Sequence, residues 1–227
     1  MKKKPISDIR LYKSETQNEY GGYITHSFAD KKLNAIIKRV VMKLRENGFS
    51  LGEFDHLYIN FTTCDMAEGM SLSKKVDRYH PWYRYCDVHI EKDLYQKLGS
   101  HEAQNDVILL IRNVLVAYYT SEDFDESRIL SCVQQAVAQG EDMLMKFKEK
   151  VSTKRRAVIF LRFLDSCKFY PLLRVYDTED NLLFEKDLPK AVMLDYLGDI
   201  QVSAKRVTIK PRKNAFTAQN KPLVFEY

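Results

Sequence analysis

The chain is poor in the residues that interrupt and loosen a fold. It holds only 8 Gly and 6 Pro in 227 residues, too few for disorder or long flexible linkers. No apolar run approaches the roughly 20 residues of a membrane-spanning helix. The longest, Val107 to Ile111, is stopped by Arg112 and Asn113. The basic start Met1-Lys2-Lys3-Lys4 is not followed by the apolar stretch of a signal peptide, so the expected compartment is the cytoplasm. The four cysteines, Cys64, Cys86, Cys132 and Cys167, form no CxxC pair. Free thiols are the expectation for that spacing in a reducing compartment. The glycine-rich loops that cradle phosphates, the GxSxG elbow and the HExxH zinc motif are all missing.

The residues that could still carry chemistry do not converge. His80, Cys86 and His89 are near in sequence, but a strand of period two puts Cys86 and His89 on opposite faces, which argues against a metal site. Cys64 with His56 or His80 would make a nucleophile pair, yet nothing local activates the thiol. The carboxylates of Asp123, Asp125 and Glu126 precede a helix, where the dipole alone explains them. The expectation is a protein without catalysis, cofactor or metal.

What the chain does hold is a folded protein's balance: 45% hydrophobic and 30% charged residues, with 14 Tyr and 12 Phe. A chain of this size buries roughly 70% of its unfolded surface and needs no staple. Leu33, Ile36, Ile37, Val40, Val41 and Leu44 recur at helical spacing, with Ser27 or Asp30 to cap the start and Asn47-Gly48 to end it. Leu57, Ile59 and Phe61 alternate along a strand from Phe54 to Thr63, and Tyr83 to Ile90 reads as its partner strand. Residues 1–18 read as a partly ordered arm, and Glu19 to Phe28 as a short strand. Further helices are expected over 91–98, from about Ser100 to Tyr119, and from Asp125 to Lys150. After Val151-Ser152-Thr153 the pattern is strand after strand: Ala157 to Leu164, Phe169 to Tyr176, Leu182 to Lys186, Ile200 to Lys210 with a bulge near Lys205, and Leu223 to Phe225. Short turns favour an antiparallel meander.

The fold class is therefore α+β. A mixed part, 1–150, places three to four helices on a small sheet, and an antiparallel part, 151–227, follows, either as a second domain or in one continuous domain. The charge is divided the same way. Residues 152–227 carry 14 Lys/Arg against 9 Asp/Glu, which accounts for the whole formal +5.

Two stretches suggest binding. Val76-Asp77-Arg78-Tyr79-His80-Pro81-Trp82-Tyr83-Arg84-Tyr85 contains the single Trp, three Tyr, a His and two Arg, the residue types of interface hot spots. In one reading Trp82, Tyr83 and Tyr85 pack between strand and helices. In the other, Asp77, Arg78, Tyr79, His80, Trp82 and Arg84 present a partner-binding surface. The second stretch is the basic C-terminal region, with Lys154-Arg155-Arg156, Lys205-Arg206 and Lys210-Pro211-Arg212-Lys213. Interleaved with Phe169, Tyr170, Tyr176 and Phe216, these could track a nucleic-acid backbone, or they could be the lysines and arginines that protect a sheet edge.

Tyr23-Ile24-Thr25-His26-Ser27-Phe28-Ala29-Asp30-Lys31-Lys32-Leu33-Asn34, then Phe54 to Thr62, then Val76 to Trp82, resemble the immunity proteins of bacterial polymorphic toxin systems. The resemblance spans roughly residues 20–90 and assigns no residue a role. It implies a cytoplasmic, non-catalytic protein that neutralises a protein toxin by tight binding. The alternatives are a nucleic-acid-binding protein that uses the basic sheet and an enzyme with an unrecognised site.

Overall fold

The computed structural model describes residues 4–16, 31–165, 168–214 and 220–227. They form two compact units, Met1–Gly140 and Glu141–Tyr227, and both helices and sheets are present, as the α+β class requires.

The first unit is a mixed sheet with helices. Its elements are β1 (Asp8–Lys13), α1 (Lys31–Glu46), β2 (His56–Thr62), β3 (Met70–Leu72), β4 (Tyr83–His89), α2 (Lys92–Lys97), α3 (Gln104–Tyr119) and α4 (Glu126–Gln139). The sheet order is β1-β2-β4-β3. Strands β1 and β4 both run parallel to β2, and β3 pairs antiparallel with β4. The expected partner strand is thus a parallel one. The N-terminal segment is not merely an arm, because Asp8–Lys13 is the edge strand of the sheet, with Ile9 and Leu11 buried. Two apolar residues in a polar stretch are too short a signal to show that alternation. The expected caps Ser27 and Asp30 and the expected strand Glu19–Phe28 lie outside the described residues.

Register divides the sheet into two unlike faces, since directly paired residues share a face. One face carries Ile9, Leu11, Leu57, Ile59, Phe61, Cys86 and Val88, all buried. Helix α1 contributes Leu33, Ile37, Val40, Val41 and Leu44 to the core, α3 adds Val107, Ile111, Val114 and Leu115, and α4 adds Ile129, Val133 and Ala136. At roughly 1.5–3 kcal/mol per fully buried aliphatic side chain, this layer dominates the unit's stability. Gly48, at φ 84°, ends α1 in the left-handed conformation that glycine adopts without strain. The opposite face carries Arg10, Tyr12, His56, Tyr58, Asn60, Tyr83, Tyr85 and Asp87.

The expected helix from Asp125 to Lys150 is two elements. Asp125 caps its start, accepting from the Arg128 amide at 2.9 Å. The helix ends at Gln139, where Gly140 turns to φ 51°. Residues 145–151 are a strand, with Met145 opposite Leu161. A bulge at Lys146/Lys148 interrupts its alternation, so Leu144 and Phe147 read falsely as a continued helical seam. The division of the chain accordingly falls at Gly140, ten residues before the expected one, and the helix does not extend across it.

The second unit is antiparallel throughout. Strands β5 (Met145–Val151), β6 (Arg156–Arg162), β7 (Tyr170–Tyr176) and β8 (Leu182–Asp187) form a meander. A separate sheet follows from β9 (Ile200–Val202), β10 (Arg206–Ile209) and β11 (Leu223–Glu226), in the order β11-β10-β9. The phase slip near Lys205 is therefore a hairpin turn and not a bulge, closed by Ser203 N–H to Arg206 O at 2.9 Å. Both sheets feed one core: Ala157, Ile159, Leu173 and Val175 from the meander, Ile200, Val207 and Ile209 from the smaller sheet, and Leu188 and Leu197 from the crossing between them.

Candidate functional site

The ten residues 76–85 do not form one element. Strand β4 begins only at Tyr83, and 73–82 is a loop. Asp77 organises it. One carboxylate oxygen accepts from the amides of Tyr79 at 2.9 Å and His80 at 2.8 Å, and the other accepts from the Tyr85 hydroxyl at 3.3 Å. The two amide bonds, His80's first, hold the Asp77 carboxyl below its ordinary range. Burial, then the Asp77 charge, pushes the Tyr85 hydroxyl up to about 12. The result is a tied-down tip with outward side chains: Val76 is 69% exposed and Tyr79 77%, and Arg78 and His80 are also exposed.

A train of rings backs this tip. His80 stacks on Tyr83 with centroids 4.7 Å apart. Tyr83 lies 4.8 Å from Tyr58, which meets Tyr85 at 5.1 Å and Tyr12 at 5.8 Å. Trp82 stands edge-on to His80 at 5.5 Å, with the Lys4 ammonium 5.6 Å from its ring. Offset and edge-on rings add roughly 0.5–1.5 kcal/mol per pair beyond area burial. The Arg10 guanidinium lies 5.5 Å from Tyr58. Beside the rings, Asn60 Nδ2 donates to Asp87 at 2.7 Å. Both residues are buried, and Asn60 Oδ1 and Asp87 Oδ2 have no partner.

The six expected site residues are therefore separated. Asp77, Arg78, Tyr79 and His80 share the tip, with Trp82 at its base. Arg84 does not belong to that surface: it pairs with Leu57 and points to the other face of the sheet. There its guanidinium lies 5.2 Å from the Phe54 ring. Trp82 precedes the strand. Tyr83 and Tyr85 do not pack between strand and helices but on the sheet's opposite face. Tyr12, Tyr58, Asn60 and Asp87 were missed in the sequence. Their signal is the second alternating set of β2 and β4, polar and aromatic, which the apolar set overshadows.

Part of the charge in the second unit is compensated. Arg156 pairs with Asp180 at 2.9 Å and Glu149 at 3.3 Å, Arg174 with Glu185 at 2.6 Å, Arg162 with Asp187, and Arg212 with Asp195 at 3.7 Å. Among the described residues no group of three His, Cys, Asp or Glu could hold a metal ion, and no helix is long and apolar enough to cross a membrane. Cys86 lies on the helix-side face, with burial pushing its thiol up to about 12, while His89 lies on the other face and accepts from or donates to no sulfur: its Nδ1 bonds the Cys64 carbonyl at 2.7 Å. Comparison of the chain with protein-family models, curated proteins and solved structures gives no match.

Proposed function

We propose that this chain is a non-catalytic, cytoplasmic protein-binding protein, and that it neutralises a bacterial toxin by direct contact, as an immunity protein does. The observation that carries this reading is the tip at 76–80. Tyr and Arg side chains project from a loop whose backbone the Asp77 carboxylate already holds. A backbone already held lowers the ordering cost of association for the aromatic and arginine side chains that dominate hot spots. Binding there occludes the toxin's active site or locks its conformation.

The nucleic-acid reading draws less support, because Arg156 and Arg212 of its basic clusters, and Arg162 and Arg174 elsewhere in the same unit, already face carboxylates. Phosphate binding would also weaken steeply with salt.

The test is growth of bacteria that co-express this chain with a secreted toxin encoded beside it. The wild-type chain restores growth. The Arg78→Ala/Tyr79→Ala double variant, with its melting temperature unchanged, does not. Restoration by the double variant removes the tip from the interface, and failure of the wild-type chain to bind or neutralise the toxin overturns the reading itself.

A further inference from the structure

The aromatic tip leaves Arg84 unexplained, and Arg84 lines a built pocket of its own. The pocket is open and has a volume of about 350 Å³, with Phe54, Leu72, Arg84, Tyr119, Ser121 and Phe124 among its walls. That volume is within the range of small-ligand sites. All of its walls belong to the first unit. Arg84 is half-buried and makes no ion pair among the described residues. Its guanidinium is held over Phe54 by ring contact at 5.2 Å.

A second donor stands beside it. The Tyr119 hydroxyl is buried and lies within hydrogen-bonding reach of the Arg84 guanidinium, while its own O–H proton has no acceptor. Buried hydroxyls normally donate as well as accept, so an O–H without an acceptor beside a guanidinium without an ion pair is informative. Both groups donate, and a carboxylate accepts from both. The remaining walls are mostly apolar or aromatic: Leu51, Phe54, Leu72 and Phe124. Asp123, the acidic residue of the lining, is exposed.

We propose that this pocket binds a small organic monocarboxylate with an apolar or aromatic body. The carboxylate bridges the Arg84 guanidinium and the Tyr119 hydroxyl, and the body lies against Phe54 and Phe124. The site is independent of the tip, because Arg84 faces away from Tyr83 and Tyr85.

Benzoate is the probe, with benzamide as its uncharged twin and inorganic phosphate as a charge without an apolar body. Amide resonances of the isotope-labelled full chain report binding. Benzoate shifts the signals of Gly52, Arg84 and Tyr119 saturably, with a Kd of about 1 mM or tighter. Benzamide binds about ten-fold more weakly or less, the factor expected when a charge-assisted hydrogen bond is lost. Phosphate gives no saturable shift at those three residues. Arg84→Gln weakens benzoate by at least about ten-fold, and Tyr119→Phe weakens it without loss of fold. Absence of saturable shifts up to about 20 mM benzoate, far above that Kd, overturns the proposal. So do equal affinities for benzoate and benzamide, or an unchanged affinity in Arg84→Gln. The wild-type ligand series decides the matter even where a variant fails to fold.

Discussion

Removing the Asp77 carboxylate tests whether the tip is held or merely folded over. In Asp77→Ala the amides of Tyr79 and His80 lose an acceptor at 2.9 and 2.8 Å. The Tyr85 hydroxyl loses a longer bond of 3.3 Å. A buried charge-assisted hydrogen bond contributes about 1.5–3 kcal/mol. Here water reaches the loop and replaces part of that, so the closer measure is the loss of a helix cap, about 0.5–2 kcal/mol. With two good bonds the expected loss is about 1–2 kcal/mol, or a melting temperature lower by about 3–8 °C for a unit of this size. Asp77→Asn keeps one oxygen acceptor without the charge and loses about half as much. Urea unfolding followed by the fluorescence of Trp82, 5.5 Å from His80, reports the change from inside the same cluster. The pH dependence has a definite sign. The folded carboxyl titrates below its ordinary value of 3.8, so its contribution is complete above about pH 5 and disappears as pH falls below 3.8 through the folded value. The difference between wild type and Asp77→Ala is therefore flat from about pH 5 to 8 and closes in acid. A difference under about 0.3 kcal/mol at pH 7, within the error of such comparisons, or one that widens as pH falls, refutes the assignment of Asp77 as the residue that orders the loop.

Other outcomes follow from the same physics. Gly198→Ala should destabilise the second unit by about 2 kcal/mol or more, because a Cβ there would stand 2.5 Å from the Lys210 carbonyl oxygen and 2.6 Å from the Arg212 nitrogen, both backbone atoms; an unchanged melting transition would count against that close approach. Asn60→Ala should cost about 1–3 kcal/mol by leaving the buried Asp87 side chain without its donor, while Asn60→Leu with Asp87→Leu should be nearly neutral; urea unfolding of the two variants reads the difference, and a silent Asn60→Ala would show that Asp87 is not dependent on it. Cys86, buried and with its thiol pushed up to about 12, should resist a thiol-specific reagent at pH 8 in the native state while partly exposed Cys64 reacts; rapid labelling of Cys86 would contradict its burial. Ile159→Ala, at a fully buried position of the second unit's core, should lose about 2–5 kcal/mol in chemical unfolding.

Local pattern carried much of the fold. The apolar periodicity of Leu33 to Leu44 and Ile129 to Ala136 marks helices without any partner in view, and Leu57, Ile59 and Phe61 mark a buried strand face. The acidity at the start of α4 was legible because the helix dipole acts only on the first turn. Where a pattern was broken, reading failed. The bulge at Lys146/Lys148 imitated helical spacing, and the β9–β10 hairpin looked like one slipped strand.

The site was legible in composition but not in arrangement. Ten consecutive residues rich in Trp, Tyr and Arg suggested a binding surface as one of two readings, yet nothing in their order shows that Asp77 to His80 form a loop tip while Arg84 turns the other way. That separation depends on where β4 begins, and a shift of one residue would exchange its faces. The ring train draws Tyr12, Tyr58 and Tyr83 from three strands far apart in the chain. Strand direction and register are long-range choices, made by which apolar face meets the helices. Helical and strand propensity was therefore written into the amino-acid sequence itself, while the parallel pairing of β1, β2 and β4, and with it the company that Tyr58 and Arg84 keep, was decided only by tertiary packing.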